Sequence, residues 1–435
     1  MIKYNILIIS SSDPSKTAGL FSLALRDGLE QKGHNVKFIT KYPYQNNSYH
    51  HIISYYGNTI SLCLRAYRKI KCRLFKYIIK NSDLKNHFLD TKQFFPSKNP
   101  YKFLKLAGFI PDAIIIFFAP EFINYWDMFL LNKICKCPIF VSTPDMYPFT
   151  GICHFSGKCR KYEDFCGACP AIGSKFKYDL SWLIMKTKYF LAKRTKLIAL
   201  CWTEQYEILL NRSRIYKHKS IFRIPAFMYF EKGMGKPDKQ TYYNLRDQYR
   251  INPNDYVLMI CSVSLNSERK GIPDIIDAVN IVVKDPIIYE RLVIVTAGTG
   301  DLPKKINTQR IINFGLVDYD KLADIYKLSD IFISASHNNE DVGPGTIPYS
   351  LICGVPVISY DTGIAPKVIC NNKNGFIVKD KDIISLSEKI SEHFYLSEEK
   401  KEYMSVNAAE SVKYMFDYSF VNDLEKAIQI SINKM

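Results

Sequence analysis

No apolar run in this chain approaches the roughly 18 residues that a membrane-spanning helix requires. The best candidate, Ala113 to Pro120, has only the length of a buried strand. The opening residues, MIKYNILIISSSD, place their apolar run inside a strand pattern and lack a small-residue cleavage site, so no signal peptide is expected. The cytoplasm is the expected compartment. There the 12 cysteines stay mostly reduced, which makes a cluster of them a better metal site than a disulfide framework. No internal repeat or low-complexity tract stands out, so neither a stacked-repeat architecture nor a disordered tail is indicated. No recognised nucleic-acid motif accompanies the positive charge, so nucleic acid is not an expected partner. Acidic residues are missing between Glu30 and Asp83, and that gap is the strongest charge bias in the sequence.

What is present points to a folded protein of two domains. The chain has 435 residues, 47% hydrophobic and 23% charged, enough for two separate cores. Residues 1–220 carry 34 Lys and Arg against 14 Asp and Glu, while the remainder carries 25 against 28, so the formal +17 resides in the first half. Within the acid-free gap, residues 62–80 (LCLRAYRKIKCRLFKYIIK) set Arg65, Arg68, Lys69, Lys71, Arg73, Lys76 and Lys80 among large apolar side chains. That pattern reads as a basic amphipathic helix on an anionic membrane surface; a solvated helix face beside a core stripe is the alternative.

Strand and helix signals alternate in both halves, which implies parallel sheets with crossover helices. Expected strands in the first half are Asn5–Ser10, Asn35–Thr40, Ala113–Phe118 and Pro138–Thr143, with a helix over Leu20–Lys32. Residues 41–100 carry no strand signal. The rhythm changes near Arg223–Pro225 and restarts with Tyr256–Val263, Leu292–Ala297, Ile311–Phe314, Ile331–Ala335 and Phe376–Val378. Helices are expected over Ile272–Val283 and Asp320–Leu328. The implied domains are 1–222, 223–410 and a C-terminal helix in 411–435 that returns toward the first. In open parallel sheets ligands bind beyond the carboxyl ends of strands, so the loops at 10–19, 143–151, 262–271, 298–300, 315–318 and 336–346 are expected to face one cleft.

One of these segments, EDVGPGTIPYSLICGVPVISY from Glu340 to Tyr360, reads as a phosphate-cradling turn, a short helix, a glycine stop and a buried strand. Gly343 and Gly345 let backbone approach a ligand, and Thr346 and Ile347 add N–H donors. Glu340 and Asp341 are poor phosphate ligands but good acceptors for sugar hydroxyls, so a nucleotide-sugar suits both halves of the segment.

This organisation resembles the bacterial family 4 (group 1) glycosyltransferases, whose GT-B fold is two facing Rossmann-like domains. Three segments carry the resemblance. Ser142–Lys175, STPDMYPFTGICHFSGKCRKYEDFCGACPAIGSK, is similar to a segment of colanic-acid and capsule glycosyltransferases. Leu265–Val279 contains the Lys-Gly pair of a donor-phosphate segment, and the Glu340 segment matches a carboxylate-x7-Glu helix turn. Two positions depart from the pattern: Tyr349 stands where the second glutamate, a ligand of the donor ribose, is expected, and Pro144 stands where a histidine is expected.

The resemblance implies a retaining transfer of a sugar from a nucleotide diphosphate sugar to a growing surface glycan, with no catalytic metal. The acceptor would be a glycan or lipid-linked oligosaccharide at the inner face of the cytoplasmic membrane. Arg269 and Lys270 would meet the diphosphate leaving group, where fixed cations stabilise the charge that grows on the β-phosphate. Asp341, with Glu340 as the alternative register, would bind sugar hydroxyls, and Asp145 would orient acceptor or sugar. Gly19, Gly298, Gly300 and Leu316 complete the expected donor contacts with Gly343, Gly345, Thr346, Ile347 and Tyr349. The losses at Tyr349 and Pro144 keep open a catalytically silent glycan-binding or assembly subunit. Cys153, Cys159, Cys166 and Cys169 form C-x5-C-x6-C-x2-C, a set suited to a closed structural zinc site; reduced core thiols or an oxidised pair are the alternatives.

Overall fold

The computed structural model describes residues 2–14, 17–41, 52–56, 91–229, 233–302, 305–337 and 345–433. The expected basic helix at 62–80 and the expected ligands Glu340, Asp341 and Gly343 lie outside the described residues. Two compact units result, one from residues 1–229 with 418–435 and the other from 230–417.

The first unit is built on a sheet of seven parallel strands. They are β1 (Asn5–Ser10), β2 (Asn35–Thr40), β3 (Ile52–Ser54), β4 (Ala113–Phe118), β5 (Ile139–Ser142), β6 (Leu197–Cys201) and β7 (Ser220–Arg223), in the order β3-β2-β1-β4-β5-β6-β7. Ile6 to Ile9 and Ile114 to Ile116 are almost fully buried, as expected of central strands covered on both faces. β3 falls inside the stretch where no strand was expected. It has three half-buried residues at the sheet edge, too few to leave a pattern in the sequence. β6, a buried apolar run, and the short, partly exposed β7 were not among the expected strands either.

The second unit holds six parallel strands: β8 (Tyr256–Ser264), β9 (Leu292–Thr299), β10 (Arg310–Asn313), β11 (Ile331–Ser334), β12 (Val357–Tyr360) and β13 (Gly375–Val378), in the order β10-β9-β8-β11-β12-β13. The helix Ile272–Val282 buries Ile272, Ile275, Ile276, Val279 and Val282, the 3–4 spacing of a single apolar stripe. These side chains join one core cluster with β8, β9, β11 and β12. Below the strands, the guanidinium of Arg246, 1% exposed, reaches Asp330 at 3.1 Å and the Asp255 carbonyl at 2.5 Å, while Asp330 also accepts from Val257 N–H at 2.6 Å.

The chain stays with the first unit beyond residue 222 because Phe227 is packed there, stacked on Phe420 at 3.9 Å and edge-on to Trp202 at 5.7 Å. The helix Phe420–Asn433 completes that unit. His34 meets Glu425 at 2.8 Å, the Lys196 ammonium donates to the Ser431 carbonyl at 2.5 Å, and Gly28 leaves room for Val421 and Tyr418.

Candidate active site

In the second sheet the strand order reverses between β8 and β11, and such a reversal opens a crevice at the carboxyl ends of the two strands. The loop after β8 ends in a short 3-10 turn, Glu268–Lys270, which puts Arg269 and Lys270 there, both half-buried. The loop after β11 runs through Ala335, Ser336 and His337. A backbone bond from His337 N–H to the Arg269 carbonyl, 2.9 Å long, ties the two loops together. Gly271 makes this approach possible. Its φ is +63°, and a Cβ there would stand 1.8 Å from the Ala335 carbonyl oxygen.

His337 is also held from both sides. Its Nδ1 lies 2.8 Å from Asp380 Oδ1 and its Nε2 lies 3.4 Å from Asp274 Oδ2. The ring stacks on Tyr360 at 5.6 Å, and the Tyr360 hydroxyl donates to the same Asp274 oxygen at 2.9 Å. Burial first, and then the Asp274 carboxylate, push the Tyr360 phenol well above its ordinary range, so it remains a donor. None of His337, Asp274, Tyr360 and Asp380 was expected from the sequence. The signal available was a polar Ser336-His337 pair closing a buried apolar strand.

The other expected donor contacts fall at neighbouring strand ends. Gly298, buried, and Gly300, exposed, close β9, and Gly298 N–H donates to the Gly315 carbonyl at 2.8 Å, joining the β9 and β10 loops. Leu316 next to it is 70% exposed. Gly345, Thr346 and Ile347 open the helix Thr346–Ile352; Gly345 and Thr346 are half-buried and Ile347 is fully buried. Tyr349 is 2% exposed and its ring packs against Phe416 at 5.9 Å.

In the first unit, Gly19 is buried against the Asp13 carbonyl in the loop after β1, where a Cβ would come within 2.0 Å of that oxygen. Asp145, 2% exposed, follows β5. One of its oxygens accepts from Tyr147 N–H at 2.8 Å, and the other lies 2.8 Å from His154 Nδ1. Met146 N–H donates to the His154 carbonyl at 2.9 Å, so this histidine is brought back beside the position of Pro144. Beneath them the fully buried Lys188 ammonium donates to the carbonyls of Tyr147 and Thr150, at 2.7 and 2.9 Å, and fixes the loop.

The cysteine loop, where a structural zinc was expected, is described in full. Among the described residues no group of three or more His, Cys, Asp or Glu is placed to hold a metal ion. Cys169 is instead drawn into an apolar cluster with Ile152, Ala171 and Ile184, with Cys153 packed against it. Cys166 accepts from Gly151 N–H at 3.3 Å, and burial pushes its thiol up to about 12.

Residues 244–411 match the model of the family described as "Glycosyl transferases group 1". An uncharacterized glycosyltransferase of Methanocaldococcus jannaschii, MJ1069, is 24% identical over 286 residues, which is 62% of this chain and 68% of that protein. Sucrose-phosphate synthase from Thermosynechococcus elongatus superposes with a TM-score of 0.62 at 13% identity, over 99% of this chain and all of that one. Anabaena Alr3699/HepE, solved in complex with UDP, gives 0.60 at 15% identity, over 98% of this chain and all of that one. The two parallel sheets are those of the GT-B fold. Residues 244–411 thus carry the sequence pattern of a group 1 glycosyltransferase domain, within a chain that has the GT-B fold.

Proposed function

We propose that the protein moves a sugar from a nucleotide diphosphate sugar, with retention of anomeric configuration, onto a glycan or lipid-linked oligosaccharide used for surface polysaccharide. The observation that carries this reading is the bond from His337 to Arg269 at the strand-order reversal. It holds two cations, Arg269 and Lys270, at the place where an open parallel sheet receives a ligand. As the sugar–phosphate bond breaks, negative charge grows on the β-phosphate, and these cations offset it without reorganising. The UDP and UDP-glucose complexes of HepE support this class of donor. Asp341 and Glu340 follow His337 by a few residues and are assigned to the sugar hydroxyls. Asp145 and His154 are assigned to the acceptor side, at the cytoplasmic face of the membrane.

Incubation with a panel of UDP-, GDP- and dTDP-sugars tests the proposal. One donor should be consumed, and Lys270→Ala should lower kcat by about 10²–10³ with little change in Tm, the range seen when one preorganised charge-stabilising donor is removed. The buried Tyr349 favours a second reading, a silent assembly subunit, because its ring is committed to Phe416. Absence of both consumption and a thermal shift with every donor would decide for that reading.

A further inference from the structure

The helix Leu180–Arg194 has two faces of different character. Ser181, Ile184, Met185, Lys188, Leu191 and Ala192 are buried against the first unit and the cysteine loop. The opposite face should then be polar, yet Leu183 is 46% and Phe190 49% exposed there. The loop leading in adds Phe176 at 64% and Tyr178 at 54%. Cations sit beside these rings. Lys186 lies 3.9 Å from the Phe165 ring centre and 5.3 Å from that of Trp182, Arg194 lies 3.6 Å from Phe190, and Lys177 lies 5.8 Å from Tyr178. Between residues 165 and 196 the one carboxylate is Asp179. It is spent on the backbone N–H groups of Cys169, Ser181 and Trp182.

We infer that this face, about 22 Å of helix with its leading loop, rests on an anionic lipid bilayer. The inference deepens the membrane-facing part of the function proposed above, although its residues are separate from the candidate active site. Protruding apolar tips interleaved with lysine and arginine match the boundary between acyl chains and negatively charged headgroups. Lysine and arginine stems lie along the apolar layer while their heads stay among phosphates. A protein partner is a poorer match, because lysine is depleted from the centres of protein interfaces. Nucleic acid would use the cations and leave the exposed Leu183 and Phe190 without a role.

The test is flotation of the full chain with phosphatidylcholine vesicles, with and without 30% (roughly) phosphatidylglycerol, chosen to give the strong surface potential of anionic membranes. Binding is expected to the anionic vesicles alone. F176S/L183S/F190S and K186E/K193E/R194E should each weaken it by about tenfold or more. Quenching of Trp182 fluorescence by brominated lipid, absent in W182F, reads the contact in the unaltered face. Donor hydrolysis in solution should be unchanged in the serine variant, so a failure here and a failure of the glycosyltransfer reading are separable. Wild-type flotation of both variants, equal binding to neutral vesicles, or flotation without Trp182 quenching would overturn the inference. So would a lipid-free dimer, or binding to random DNA, that either variant abolishes.

Discussion

Replacing Gly271 by alanine tests how far the candidate site depends on one backbone contact. The new methyl would meet the Ala335 carbonyl oxygen at 1.8 Å and its carbon at 2.7 Å. A normal C···O approach is about 3.3 Å, so the loops after β8 and β11 must part by roughly 1.5 Å. Forced overpacking of this kind costs about 1–3 kcal/mol, and a side chain at positive φ adds about 1 kcal/mol. Gly315→Ala is the matched control: its φ is +64°, almost that of Gly271, but nothing lies within 4 Å of its Cβ position. For a unit of this size each kcal/mol moves Tm by about 2–4 °C. Scanning calorimetry should therefore show a fall of about 2–4 °C for Gly315→Ala and roughly 4–16 °C for Gly271→Ala. Titration with UDP should show at least a tenfold (roughly) loss of affinity in Gly271→Ala alone, because Arg269 moves with the displaced loop. Equal Tm shifts in the two variants would refute the claim that the loops are held at closest approach.

Two further outcomes follow from buried charge. Asp330→Ala leaves the Arg246 guanidinium buried without its carboxylate and should cost about 3–5 kcal/mol in urea unfolding. Arg246→Met should cost less, because Asp330 keeps the Val257 N–H and is 19% exposed; the reverse order would contradict this account. His393 is buried beside the Tyr256 hydroxyl at 2.7 Å, and burial, aided by the Lys401 charge, lowers its imidazole from 6.5 to about 3. The unfolded chain takes up that proton below about 6.5 and the folded one does not until about 3, so the unfolded state binds more protons in this window. Stability is full above 6.5 and falls with pH, by about 2–3 kcal/mol at pH 4.5. His393→Phe should flatten that part of the pH profile, and an unchanged slope would exclude the histidine as its source.

The fold was largely legible in the sequence because its central strands are unbroken apolar runs. Asn5–Ser10 and Ala113–Phe118 occur with the expected bounds, since a strand buried on both faces admits no polar residue until it ends; Asn35–Thr40 also does, although the half-buried Lys37 interrupts its apolar run. Edge strands give no such run, and β3 and β7 are half-exposed and short. The site was legible only in part. Arg269, Lys270 and the glycines announce themselves by residue type at strand ends. His337 meets Asp274 and Asp380 across gaps of many residues, and Asp145 meets His154 through a folded loop, so no local pattern marks either pair. The cysteine spacing suggested a metal, but spacing does not reveal that Cys169 turns into an apolar cluster.

The helix Phe420–Asn433 belongs to the unit that begins the chain, and this sets the order in which the protein can be finished during synthesis. The first unit leaves the ribosome early but lacks the cover for Phe227, Gly28 and His34 until residues 230–417 have also been made. At ordinary translation rates that delay is on the order of 10–40 s. The second unit, continuous in sequence, can close its own sheet meanwhile, so the half translated first is the half completed last.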